Sequence, residues 1–195
     1  MYRFLVMILK FFVVLVAGLE VEGQENVPLE GGAIVAGTHT SMLDPVGIAI
    51  ALKRPVHFMG KVELFKFPPL AWLFKRLHAF PVKRGLADRE AIRIAQERVS
   101  QGNVLGIFPE GTRNNSAEDL LPLQGGTALI AIKTGVPVIP AVVSGFKPMR
   151  FRRAVKVTFG KPIDLGGPRK ANKAEVEEGT KVISAEFSSL LSRNN

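Results

Sequence analysis

Six short apolar runs, most of them followed by a stretch of helical period, constrain this chain more than any other feature. They are Ala33–Ala36, Val56–Met59, Phe80–Val82, Val104–Phe108, Val138–Val143 and Val155–Phe159. Several are rich in β-branched residues, and each is broken off by glycine, proline or a polar residue, so they predict strands. Between them, Pro45–Leu52, Pro68–Leu77, Asp88–Ser100 and Thr127–Thr134 predict helices. Asp44-Pro45 is a helix start signal, with Asp as N-cap and Pro at the first helical position. Ala91, Ile92, Ala95 and Val99 fall on one face, and Gly102 closes that helix. A last helix, Lys173 to Leu191, gathers Val176, Ile183, Phe187, Leu190 and Leu191 on one side. This alternation predicts one α/β domain with a mixed, largely parallel sheet flanked by helices. The 195 residues suffice for one such core. There is no internal repeat, and Gly166–Asn172 is the only linker-like stretch.

The first 22 residues read differently, as an N-terminal membrane-anchoring helix ahead of a domain over 23–195. Met1 to Leu19 is apolar except for Arg3 and Lys10, which with Ala17 form one narrow helical stripe. A spanning helix needs about 20 uninterrupted apolar residues, and a central Lys is costly there. Val16-Ala17-Gly18 resembles a signal cleavage site, but Lys10 splits the apolar region. A docked core helix and a helix lying in one leaflet are both open; monotopic attachment is the expectation carried forward, with Phe4, Phe11 and Phe12 in lipid. A second apolar, aromatic stretch from Phe65 to Leu77 holds Trp72 and Phe74 between Lys66 and Lys75-Arg76, and reads either as an interfacial segment or as a core helix. The basic run Lys147, Arg150, Arg152, Arg153 is a solvated loop or a headgroup contact.

Net charge is +9 and mean hydropathy +0.19. The first calls for an anionic partner, and the second favours an anionic membrane surface over nucleic acid, for which no binding motif is present. Cysteine is absent, which excludes disulfides and a cysteine acyl-enzyme. No metal-ligand cluster is visible, since His57 and His78 stand alone among apolar neighbours.

In open α/β sheets, chemistry gathers in the loops after the strands. His39 ends the first predicted strand, and Asp44 follows five residues later. On one helix that offset would separate the side chains by about 140°. Across a tight strand-to-helix corner they can meet, the carboxylate accepting the second ring N–H and fixing the tautomer. Such a pair suits removal of a hydroxyl proton. Equally, Asp44 could serve only as a cap. Ser41 lacks the glycines of a nucleophile elbow. Phe108-Pro109-Glu110-Gly111-Thr112-Arg113 follows another strand: Pro109 stops the ladder, Gly111 permits a positive-φ turn, and Arg113 brings a planar fork suited to phosphate. Phe80–Gly85 carries Lys83 and Arg84 out of a third strand, and Lys61 leaves a fourth. Val136–Pro140 has no ionisable group and reads as a buried wall.

In this order and spacing, His39-x-x-x-x-Asp44, Phe80–Gly85, Phe108–Arg113 and Val136–Pro140 resemble the four blocks of the glycerolipid acyltransferases, over roughly residues 30 to 165. In length and N-terminal anchor the chain is most similar to the bacterial 1-acylglycerol-3-phosphate acyltransferases. The resemblance implies acyl transfer to the sn-2 hydroxyl of lysophosphatidic acid, giving phosphatidic acid. The donor would be acyl-acyl carrier protein or acyl-CoA. It implies His39 as general base, Asp44 as its orienter, no cofactor, no metal and no acyl-enzyme. The phosphate-binding set is then Lys61, Arg84, Glu110, Gly111, Thr112 and Arg113, the cations holding phosphate while Glu110 and Gly111 order the corner. It places the enzyme on the cytoplasmic face of the cell membrane. Two departures matter: Thr38 stands where many relatives carry Asn, and Gln124 where they often place Lys. Another lysolipid or glycerol 3-phosphate is the alternative acceptor, and a non-catalytic basic membrane-binding protein is the alternative of another class.

Overall fold

The computed structural model describes residues 1–83, 88–116, 119–146 and 154–194. Its strands are β1 (Leu19–Glu22), β2 (Ala33–Gly37), β3 (Val56–Lys61), β4 (Phe80–Val82), β5 (Val104–Ile107), β6 (Val138–Ser144) and β7 (Val155–Phe159). They form one seven-stranded sheet in the order β1-β7-β6-β2-β5-β3-β4. Every pairing is parallel except β6 with β7. The helices are α1 (Tyr2–Val16), α2 (Asp44–Ala51), α3 (Pro68–Arg76), α4 (Arg89–Ser100), α5 (Gly126–Thr134) and α6 (Lys173–Asn194). The expected mixed, largely parallel α/β sheet is therefore present.

The sheet is covered on both faces, which explains why its strands are continuous apolar runs. All of β2 is buried. Successive residues of a strand point to opposite faces, and the packing follows. Ala33 and Val35 join Ile48, Ala51, Ile139 and Val157 beneath α1 and α2. Ile34 and Ala36 join Ala95, Val99, Ala128, Ile130 and Phe187 beneath α4, α5 and α6. Gly37 is needed where α2 crosses β2: a Cβ there would lie 2.8 Å from Ile48 Cδ1 and 2.9 Å from the Phe108 ring. The two central strands β2 and β5 are parallel neighbours in register Ala36↔Ile107. Whatever leaves their C-terminal ends must therefore emerge side by side.

Three readings of the sequence change. The N-terminal helix does not run to residue 22. It ends at Val16, the chain turns at Gly18 (φ 94°), and Leu19–Glu22 becomes the edge strand β1, its alternate residues exposed. That Leu-Glu-Val-Glu alternation was the signal, and it was masked by the apolar run before it. Secondly, α1 is neither wholly docked nor free. Tyr2 and Ala17 are buried, whereas Phe4, Phe11, Phe12 and Leu15 are 57–63% exposed. Among the described residues no helix is long and apolar enough to cross a membrane.

Thirdly, His57 and His78 are not alone. Their rings lie 4.7 Å apart, and Tyr2 stacks on His78 at 4.9 Å. The Tyr2 hydroxyl accepts from Val56 N–H at 3.0 Å, which ties the start of α1 to β3. Burial, then the nearby His78 and Arg98, pushes His57 down from the ordinary 6.5 to about 4. Burial, Arg98 and the N-terminus lower His78 as well. Both rings are thus neutral in the folded protein at neutral pH. Below pH ~6.5 the unfolded chain takes up a proton that folded His57 refuses until pH ~4, so stability falls as pH falls through that window. We expect a loss on the order of 2 kcal/mol, allowing for solvent screening at a partly open site. Thermal melts from pH 7 to 4 should show it, and His57→Phe should flatten the slope; an unchanged slope would refute the assignment.

Candidate functional site

β2 delivers Thr38 and His39 to the C-terminal edge of the sheet, and the chain turns through Thr40–Leu43 into α2. Asp44 does not cap that helix forward, as the Asp-Pro signal suggests. Leu43 occupies the cap position without a side-chain bond. The Asp44 carboxylate instead points backward into the loop. Its Oδ2 accepts from Thr40 N–H at 2.7 Å, from Ser41 N–H at 2.6 Å, and meets His39 Nδ1 at 3.2 Å. Because a carboxylate only accepts, Nδ1 carries the hydrogen and Nε2 keeps the lone pair of the neutral ring. Asp44 is 1% and His39 6% exposed. The Phe108 ring stacks on His39 with centroids 4.2 Å apart, and Phe58 stacks on Phe108 in turn. The His39 ring is thereby fixed at one nitrogen and along one face.

β5 delivers the second block. Phe108–Gly111 is a tight turn closed by Gly111 N–H to the Phe108 carbonyl at 3.0 Å, with Gly111 at φ 69°. An L side chain is strained in that conformation, which is the reason for glycine here. Gly111, Thr112 and Arg113 are exposed, and Arg113 makes no ion pair among the described residues. Glu110 behaves otherwise. It is 4% exposed, its Oε1 accepts from His39 N–H at 2.9 Å and its Oε2 from Leu121 N–H at 3.1 Å. Glu110 orders the corner as the sequence suggests, but it is a buried tie and leaves the phosphate-contacting set. A phosphate would gain nothing from a carboxylate already committed to two backbone amides.

The remaining expected cations divide. Lys61 closes β3 at the surface, its ammonium 3.6 Å from Glu63 Oε1, so its charge is partly spent on a neighbour. Arg84 lies outside the described residues, as do Lys147, Arg150, Arg152 and Arg153. Lys83, next to Arg84, is described: it lines a cleft of about 800 Å³ together with Thr112 and Gln124. The walls of that cleft are apolar, from Met59, Val82, Ile92, Ile107, Phe108 and Leu129. The sequence blocks marked Val82 and Phe108, but Met59, Ile92, Ile107 and Leu129 come from separate elements and each reads as ordinary core. Val138–Pro140 is buried in β6 as expected, whereas Val136 and Pro137 lie ahead of the strand and are half-buried. Of the two departures, Thr38 is structural, its Oγ1 accepting from Val143 N–H at 3.4 Å, whereas Gln124 bonds the Pro109 carbonyl only through its backbone N–H, at 2.7 Å, and lines the cleft. Of the aromatic residues expected in lipid, Phe4, Phe11, Phe12 and Trp72 are exposed, while Phe74 packs toward Phe65.

The arrangement holds a polarised imidazole, a guanidinium on an exposed turn beside it, and an apolar-walled cleft reaching the same turn. It can take a proton from a hydroxyl whose molecule carries an anionic group and an apolar chain. Comparison with known proteins agrees with that chemistry. The sequence profile described as Acyltransferase matches residues 18–144. The chain is 32% identical over 84% of its length to the 1-acyl-sn-glycerol-3-phosphate acyltransferase of Bacillus subtilis, covering 82% of that protein. It is 31% identical over 80% of its length to the enzyme of the same name from Streptococcus pneumoniae, of which it covers 60%. Among solved structures, the 1-acyl-sn-glycerophosphate acyltransferase from Thermotoga maritima shares the fold, with a TM-score of 0.70, 24% identity, and coverage of 97% of this chain and 81% of that one. This chain belongs to the acyltransferase family.

Proposed function

We propose that the protein transfers an acyl group from an acyl thioester to the sn-2 hydroxyl of 1-acylglycerol 3-phosphate, giving phosphatidic acid. One observation carries the reading: the His39–Asp44 pair, 3.2 Å apart and buried, is clamped against the turn that presents Arg113. His39 Nε2 takes the proton as the hydroxyl oxygen attacks the thioester carbonyl, and Asp44 steadies the imidazolium. Collapse of the tetrahedral intermediate expels the thiolate, to which the imidazolium returns the proton. Arg113 holds the acceptor phosphate, with Arg84 and Lys61 as further cations of the set. The apolar cleft favours a lipid acceptor over glycerol 3-phosphate, which carries no chain to fill it. Acyl-acyl carrier protein or acyl-CoA serves as donor, both being anionic thioesters suited to a chain of charge +9.

Attachment to the cytoplasmic face of the cell membrane, without spanning it, belongs to the same reading. The exposed face of α1 offers Phe4, Met7, Phe11, Phe12 and Leu15, and α3 adds Phe67, Leu70 and Trp72. The Tyr2–His78 stack joins the start of α1 to the residues just beyond α3. Arg76 lies 5.5 Å over the Trp72 ring, a cation at the edge of an aromatic anchor as an interface requires.

A single vesicle assay tests both parts. Anionic vesicles carrying lysophosphatidate should yield phosphatidic acid with either donor. Monoacylglycerol in their place should react at least ~100-fold more slowly, since its use leaves Arg113 unpaired. Equal rates would sink the acceptor reading, and faster turnover of glycerol 3-phosphate would replace it. The Phe4/Phe11/Phe12→Ser variant should turn over micellar substrate normally yet fail to sediment with vesicles.

A further inference from the structure

His39 is gripped on both sides by a single loop. Its N–H donates to Glu110 Oε1 at 2.9 Å, and its carbonyl accepts from Asn114 N–H at 2.6 Å. Between those two anchors run Gly111, Thr112 and Arg113, all exposed. The guanidinium thus belongs to a three-residue span pinned at each end to the residue that carries the base. Asn114 is 4% exposed, in contrast to the exposed residues on either side of it. Its Oδ1 accepts from Ser116 N–H at 2.9 Å and from Ser116 Oγ at 2.7 Å. The side chain therefore shapes the turn that aims its own backbone amide at the His39 carbonyl.

We infer that Asn114 is a positioning residue, setting the distance from the Arg113 guanidinium to the His39 ring so that an acceptor held by its phosphate presents its hydroxyl in register with the base. The inference rests on the reading of Arg113 as the phosphate ligand and adds a residue that touches neither substrate nor ring. A buried Asn holding only its own turn lowers Tm when removed and leaves the turnover of the folded protein alone. One holding a base in register is worth much more in rate, because misplacement by about 1 Å costs ~100-fold. Loss of register lowers kcat, whereas loss of a phosphate contact raises KM.

The experiment measures kcat and KM for lysophosphatidate, with Tm, in the full-length wild type, Asn114→Ala and Asn114→Ser. Serine keeps a short acceptor for Ser116 N–H and adds no charge. Asn114→Ala should lose ~30-fold or more in kcat with KM within about threefold, and Asn114→Ser should recover to within ~3-fold of wild type. The pH at which kcat falls on the acid side should not move, since the ring and Asp44 are untouched. Loss confined to KM, equal loss in both variants, or no loss in either would overturn the inference. Should Asn114→Ala not fold, Ser116→Ala removes the Ser116 hydroxyl bond to Oδ1; a kcat reduced ~2–3-fold supports the role and an unchanged kcat overturns it. The phosphate reading is judged separately, by wild-type turnover of lysophosphatidate against monoacylglycerol.

Discussion

Replacing His39 by Ala should reduce phosphatidic acid formation by ~10³-fold or more while leaving the protein folded. The rate effect follows from the geometry. Nε2 is the only ring nitrogen with a free lone pair, because Nδ1 meets Asp44 Oδ2 at 3.2 Å. The reacting hydroxyl has a pKa far above neutrality, so without a base at contact distance it attacks only as the weak neutral nucleophile. The folding half of the expectation is as specific. Asp44 is buried, and stranding a buried carboxylate is normally severe. Here its Oδ2 retains the Thr40 and Ser41 amides at 2.7 and 2.6 Å, so losing the ring does not strand it. Glu110 and Asn114 hold the backbone of residue 39 and are indifferent to its side chain. Initial rates and thermal melts on the same preparations check both halves. Retained activity in a folded His39→Ala would reject general-base catalysis by this residue.

Glu110→Ala should be the most disruptive change to stability near the site. Two backbone N–H groups, of His39 and Leu121, would lose their acceptor inside the protein. Each unsatisfied amide costs about 1–3 kcal/mol, and the Leu121 amide, being partly buried, recovers some of that from water. A net loss of about 2–4 kcal/mol lowers Tm by ~5–12 °C for a chain of this size. Activity should fall more than stability requires, because the base loses one of its two backbone anchors. Glu110→Gln separates a tie from a substrate contact. As a tie, its amide group confronts one of the two N–H donors, and Tm drops by roughly half as much. As a carboxylate facing the acceptor phosphate, its neutralisation would leave Tm alone and lower KM. A melt within 2 °C of wild type for Glu110→Ala would reject the tie.

What could be read from the chain followed from how local each signal is. The runs that became β2, β5 and β6 are buried on both faces, so composition alone marks them, and the polar blocks after them announced the site. Asp44 shows the limit. The Asp-Pro pair promised a forward cap, but the carboxylate bonds backward to the Thr40 and Ser41 amides, where the loop folds over it. The contribution of Asn114 was invisible for another reason: its amide bonds a carbonyl 75 positions away, and nothing in Thr-Arg-Asn-Asn-Ser encodes that distance. His57 and His78 looked solitary because α1, β3 and the turn after α3 meet only in three dimensions. β1 was hidden by its neighbour, an apolar helix whose composition runs straight into it.

That edge strand also orders events during synthesis. β1 pairs only with β7, Leu19 opposite Val155, and β7 is the last strand of the sheet to be made. While the ribosome extends the chain through β2 to β6, residues 19–22 lack their strand partner, and α1 has only α2 and β3 to pack against. The sheet therefore closes last along the edge that joins the first strand of the chain to its last.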